Sequence, residues 1–197
     1  FLSTLKKRLN FVASSTHQSE EILVGKTHLD LKKKFKNLLT IIIPRHINRV
    51  SKIKSDLTSL GLKIITRSSK EKIEKNTDIY LVDTYGETRK FFKIAKTIFI
   101  GGSIVNHGGQ NPIEPARYGL NIIHGPNVGN FKDIFKLFKE KNLAFKIHNQ
   151  NQLNMVAKKL LLKKSRKKID LKKIGENILK KSVIEINQIF KNEIKKT

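Results

Sequence analysis

Short apolar runs that ignore the alternation of a half-exposed strand constrain this chain more than any other feature. Leu38–Ile43 is apolar at every position except Thr40, and Pro44 follows it. A strand with one face in water alternates apolar and polar residues, whereas a strand covered on both faces reads as a continuous apolar run. Further strands are predicted at Phe11–Ser14, Leu62–Thr66, Asp78–Val82, Thr97–Ile100, Asn121–His124 and Ala144–Ile147. Between them lie longer amphipathic stretches. These predict helices over Glu20–Phe35, Asn48–Leu60, from Gly86-Glu87 through Ala95, and over Asn111–Tyr118, Phe131–Lys141 and Asn151–Leu162. Strands alternating with helices predict an α/β fold, a Rossmann-like parallel sheet with helices on both faces. There is no internal repeat.

The 197 residues suit a single domain spanning 1–197. Within it, 165–197 is expected to form a lysine-rich helical segment. Leu171, Ile174, Ile178, Leu179, Val183, Ile186, Phe190 and Ile194 make an apolar stripe there, suited to packing on the sheet or on a partner domain. The absence of cysteine excludes disulfide scaffolds, thiolate zinc sites and cysteine nucleophiles. No apolar run approaches the ~18–20 residues of a membrane span. Phe1 in place of an initiator Met is expected of a piece of a longer or processed protein. Phe1–Asn10 is too basic and too short of apolar residues for a signal peptide.

The formal charge of +25 invites a nucleic-acid reading. Its distribution weakens that reading. Residues 151–197 hold 14 of the 41 basic residues against 4 acidic ones, and the rest are spread along amphipathic stretches. The aromatics sit in apolar patterns and do not interleave with cations as a base-stacking platform requires. Lysines on solvated helix faces account for most of the charge, and attraction to anionic membrane lipid is the functional alternative.

Ligands of open parallel sheets bind outside the carboxyl ends of the strands. Those ends carry polar and glycine clusters here: Ser14-Ser15-Thr16-His17, Pro44-Arg45-His46, Asp83-Thr84-Tyr85-Gly86-Glu87, Gly101-Gly102-Ser103, Asn106 to Glu114, and Gly125-Pro126-Asn127. The opposite ends are plain lysine-rich connections. In the run from Gly101 to Glu114, four glycines allow the backbone to approach a ligand and present N–H groups. Pro112 falls in the first turn of the next helix, whose N-terminus favours an anion such as phosphate. Glu114 projects from that turn, and a carboxylate there can accept two hydrogen bonds from the vicinal diol of a ribose. Arg45 suits a phosphate or a base edge. His17, His46 and His107 can each donate to a phosphate or a sugar hydroxyl. Tyr85-Gly86 places backbone against a nucleotide, while Glu87 equally serves as a helix N-terminal charge. The spacing of histidines and carboxylates matches no metal-ligand pattern. A P-loop and a Gly-x-Ser-x-Gly elbow are both absent.

These clusters occur in the order Ala13-Ser14-Ser15-Thr16-His17-Gln18-Ser19-Glu20-Glu21, Pro44-Arg45-His46, Thr66-Arg67-Ser68-Ser69, Asp83 to Glu87, Phe99 to Ala116, then Gly125-Pro126 with Asn130-Phe131. Over residues 10 to about 160 the pattern resembles the C-terminal half of the 3-deoxy-D-manno-octulosonic acid (Kdo) transferases, two-domain GT-B glycosyltransferases. The resemblance implies transfer of Kdo from CMP-Kdo to a lipid A precursor, with no metal or other cofactor. It implies CMP contacts at Pro44, Arg45, Tyr85, Gly86, Glu87, Asn111, Pro112, Ile113 and Glu114. The donor side of the cleft would be lined by Ser15, Thr16, His17, Gly102, Ser103, His107, Gly108, Gly109 and Gln110. Tyr85 stands where the family commonly has Met or Leu. No counterpart of the family's N-terminal domain, which carries the catalytic glutamate and the membrane anchor, is recognised. The fragment is therefore expected to be soluble and inactive alone, and the full enzyme to sit at the cytoplasmic face of the inner membrane. The rivals are a basic domain holding nucleic acid or membrane, and a GT-B enzyme using a UDP-sugar.

Overall fold

The structure, a computed structural model, describes residues 2–163. The amphipathic stripe expected over 165–197 lies outside these residues. Seven strands form one sheet: β1 (Leu9–Thr16), β2 (Leu38–Pro44), β3 (Ile64–Thr66), β4 (Ile79–Leu81), β5 (Thr97–Ile100), β6 (Asn121–His124) and β7 (Ala144–Lys146). Their spatial order is β3-β4-β2-β1-β5-β6-β7, and every pairing is parallel. The helices are α1 (Leu2–Lys6), α2 (Glu20–Lys34), α3 (Val50–Thr58), α4 (Thr88–Phe92), α5 (Ile113–Arg117), α6 (Lys132–Glu140) and α7 (Gln150–Leu162).

Both faces of the sheet are covered, which is why the centres of its strands are largely apolar. Val12, Ile41, Ile98 and Ile122 point into a core completed by Phe91 and Phe92 of α4 and Phe135 and Phe138 of α6. Their neighbours Phe11, Ile42, Phe99 and Ile123 point the other way, onto Leu31 of α2, Leu57 of α3 and Leu153 and Leu160 of α7. Connections from β1 run outward to β2, while the chain returns through α4 to β5 on the other side of β1. The tips of β1 and β5 therefore flank the point where the winding direction reverses, where ligands of such sheets bind.

Several helices depart from the expected bounds, α4 among them, which ends at Phe92 and not at Ala95. The helix expected over Asn48–Leu60 opens as a 3-10 turn, Ile47–Arg49, before α3. The helix expected over Asn111–Tyr118 is the five-residue α5, because Pro115 has no N–H to offer beyond a first turn and Gly119 follows. α1 arises from Leu2–Lys6 without a strong pattern; its Leu5 is fully buried against the sheet.

At the amino ends of the strands a buried polar cluster ties α2 to the sheet. His28 is wholly buried; Nδ1 lies 2.9 Å from Thr40 Oγ1 and Nε2 lies 3.2 Å from Asp78 Oδ1. Lys32 donates to the same Asp78 oxygen, and Asp78 Oδ2 accepts from Lys63 N–H at 2.9 Å. Burial pushes the His28 imidazole below its ordinary pKa, against the pull of Asp78. Burial opposes ionisation of Asp78, yet His28, Lys32 and the Lys63 amide together hold it well below the usual carboxylate range.

Candidate functional site

The strand tips crowd together tightly enough to require glycine. A Cβ on Gly101 would lie 2.2 Å from the Ser15 carbonyl oxygen, so only glycine lets β5 end against β1. Ser15 itself has φ +56°, at the irregularity where the β1–β2 register shifts between Ser14 and Thr16.

Glu20, at the start of α2, organises the loop that follows Gly101. It is fully buried. Oε2 accepts from the backbone N–H of His17 at 2.9 Å and of Gly102 at 2.8 Å. Oε1 accepts from the N–H of Ser103 at 3.1 Å and of Ile104 at 3.0 Å. The concave row of N–H groups expected to receive a ligand phosphate thus already holds an anion from the protein itself. Sequence reasoning assigned Glu20 no role. The one hint available was an acidic first turn directly after a strand. Glu21 beside it is also buried and forms a two-pronged ion pair with Arg49 at 3.1 and 3.0 Å.

Ser103 does not line the cleft. It is fully buried, its hydroxyl donating to the Ile100 carbonyl and accepting from Gly125 N–H at 2.8 Å, which links β5 to β6. Thr16 and Pro44 are buried and paired across β1 and β2, and Arg45 N–H donates to the Thr16 carbonyl at 3.0 Å. The Arg45 side chain is exposed.

The N-terminus of α5 offers less than expected. Five residues carry little dipole, and the Ile113 N–H is already satisfied by Asn111 Oδ1 at 2.9 Å. Glu114 pairs with Arg89 of α4, Nε to Oε1, at 2.7 Å. This pair divides two hollows. One, about 340 Å³, is lined by Gly86, Thr88, Arg89 and Glu114. The other, about 350 Å³, is lined by Arg89, Asn111, Ile113, Glu114 and Arg117. Gly86, Asn111, Ile113 and Glu114 therefore meet, and Arg89 joins them. Tyr85 is exposed beside Gly86. Pro112 is buried. Glu87 has its oxygens committed to Lys90, Thr84 and Arg67, which hold its pKa down at about 2. That network leaves Glu87 as a brace between β3 and α4.

Arg45 does not line the Glu114 hollows. It adjoins a second group at the tips of β1, β2 and β5. His17 stacks on His107, ring centroids 4.2 Å apart, and meets His46 edge-on at 5.9 Å. Gln110 Nε2 lies 3.4 Å from His17 Nε2. Gly102, Gly108 and Gly109 all take positive φ in the loop that carries His107 past this group. The histidine group and the Glu114 hollows are thus two regions at the carboxyl ends of the strands, linked along the chain through Gln110-Asn111. Among the described residues no three His, Asp or Glu side chains are arranged to hold a metal ion, and no helix is long and apolar enough to cross a membrane.

No family model matches the chain. A 3-deoxy-D-manno-octulosonic acid transferase of Rickettsia typhi is 34% identical over 189 residues, 96% of this chain and 40% of that protein. The transferase of the same name from Haemophilus influenzae is 36% identical over 130 residues, 66% of this chain and 30% of the relative. The chain thus spans less than half the length of these curated relatives. Among solved structures, the C-terminal CMP-Kdo binding domain of WaaA from Acinetobacter baumannii superposes with a TM-score of 0.73 at 27% identity, covering 78% of this chain and 80% of that one. The C-terminal domain of a group 1 glycosyl transferase (LpcC) from Francisella tularensis shares the fold alone, with a TM-score of 0.56 at 9% identity. Sequence and fold together place the chain among the Kdo transferases, as the Rossmann-like C-terminal domain of that GT-B glycosyltransferase family.

Proposed function

We propose that the chain is the donor-binding domain of an enzyme that transfers Kdo from CMP-Kdo to a lipid A precursor during lipopolysaccharide assembly. One observation carries the reading: the chain shares its fold and 27% of its aligned residues with a domain described as binding CMP-Kdo. The hollows around Glu114 supply fitting chemistry. Glu114 exchanges Arg89 for the ribose diol, accepting two hydrogen bonds. Arg89, so released, and Arg45 are the cations available to the phosphate. Departure of CMP builds negative charge on that phosphate, and pre-placed cations stabilise it as it develops. This role calls for no metal. A base outside this chain deprotonates the acceptor hydroxyl, and closure of the two halves of the enzyme completes the site. The chain alone then binds nucleotide and transfers little. Its other partners are the N-terminal domain of the same enzyme and the anionic cytoplasmic face of the inner membrane, and nucleic acid is not among them.

Calorimetric titration with CMP tests the reading. Saturable binding is expected, weakened tenfold or more by Glu114→Ala and by Arg45→Ala, with UDP a poor competitor. No saturable signal at millimolar CMP, or binding unchanged in both variants, overturns it. Binding to any polyanion with a steep salt dependence would favour the basic-domain alternative instead.

A further inference from the structure

We propose that His17, His46 and His107 form a seat for an oxyanion whose binding is coupled to proton uptake. Only the source of that oxyanion, the phosphate of a nucleotide or the carboxylate of a sugar acid, rests on the reading above. The three imidazoles come from three separate elements and converge where the winding of the sheet reverses. His17 is the centre, 8% exposed at the tip of β1, while the rings of His46 and His107 are open to solvent.

The charges facing His17 disfavour its protonation. Burial lowers its pKa first, then the neighbouring His107, His46 and Arg49, with Glu21 pulling weakly the other way. Two stacked imidazoles cannot both ionise cheaply. The nearby carboxylates are already spent, Glu20 on four backbone N–H groups and Glu21 on both prongs of Arg49. Arg45 and Arg49 add positive charge on the β2 side, and Gln110 on the β5 side is neutral. Neither of these carboxylates is free to pair with an imidazolium here. An anion arriving from outside would supply that neutralisation, so anion and proton enter together.

Imidazole NMR resonances of the 197-residue chain, titrated from pH 5 to 8.5, read this directly. Inorganic phosphate, CMP and free Kdo serve as separate probes at saturating concentration. At least one probe should raise the titration midpoint of His17 and of one neighbour by about one pH unit. Phosphate and CMP acting alike, with Kdo inert, assigns the seat to phosphate; Kdo acting alone assigns it to carboxylate. The His46→Gln/His107→Gln double variant changes only exposed rings, so it should keep the wild-type melting temperature while the shift at His17 disappears. Midpoints unmoved by all three probes overturn the proposal, as does a double variant whose His17 still shifts fully. Shifts with phosphate or Kdo, in a chain that calorimetry shows not to bind CMP, would remove the nucleotide reading and leave the seat standing.

Discussion

Replacing Glu20 by Gln keeps the shape of the side chain and removes half of what it does. Its two oxygens accept four backbone N–H groups, two apiece, at 2.8–3.1 Å, in a fully buried position. The amide has one oxygen and one NH2. Whichever way it turns, two backbone donors face a donor. Each buried donor left without an acceptor costs about 1–3 kcal/mol, so the variant should lose about 2–6 kcal/mol. In a domain of this size each kcal/mol moves the melting temperature by about 2–4 °C, giving a fall on the order of 5–15 °C. Urea unfolding should show a lower midpoint at unchanged slope, since the surface exposed on unfolding is the same. CMP affinity should weaken with stability, because Gly102 to Ile104 begin the loop that carries His107 and Asn111. A melting temperature within about 2 °C of wild type would refute the reasoning, because it would mean the loop is held by something other than this carboxylate.

Acid should destabilise the fold through its buried histidines. Burial lowers His28 and His17, and lowers His124 to about 4. For a group depressed in the folded state, the unfolded chain binds protons first, so stability is full above about pH 6.5 and falls as pH drops towards 4. Urea unfolding at successive pH values should show this, and His124→Asn should flatten it; stability constant from pH 7 to 4.5 would contradict it. Gly101→Ala places a methyl 2.2 Å from the Ser15 carbonyl and should cost about 2–3 kcal/mol or abolish folding, read by thermal melting. Arg89→Ala breaks an exposed ion pair and should leave the melting temperature unchanged, making it a clean probe of ligand binding.

The sheet was legible because its physics is local. β5 and β6 fall on the expected bounds, since a strand covered on both faces carries a short apolar centre bounded by polar residues. β2 likewise extends only one residue, to Pro44. α5 was overestimated because helical spacing over Asn111–Tyr118 hides the cost of Pro115 inside the pattern. The site was legible as a set of strand tips and not as a set of contacts. Gly86, Asn111, Ile113 and Glu114 do meet, yet their tie to Arg89 spans 25 residues. Three of the four bonds of Glu20 span 82 to 84 residues, and no local pattern reveals that a helix-start carboxylate fills the N–H groups of a distant glycine loop. Glu87 likewise sits in the expected motif, but the partners of its oxygens, Arg67, Thr84 and Lys90, could not be read from it.

Backbone amide chemical-shift mapping during a CMP titration examines the central claim most directly. Saturable shifts concentrated at Gly86, Arg89, Asn111 and Glu114, extending through Gln110 towards His17, are the predicted result. Shifts absent at millimolar CMP, or centred on the lysine-rich amino ends of the strands, would contradict it.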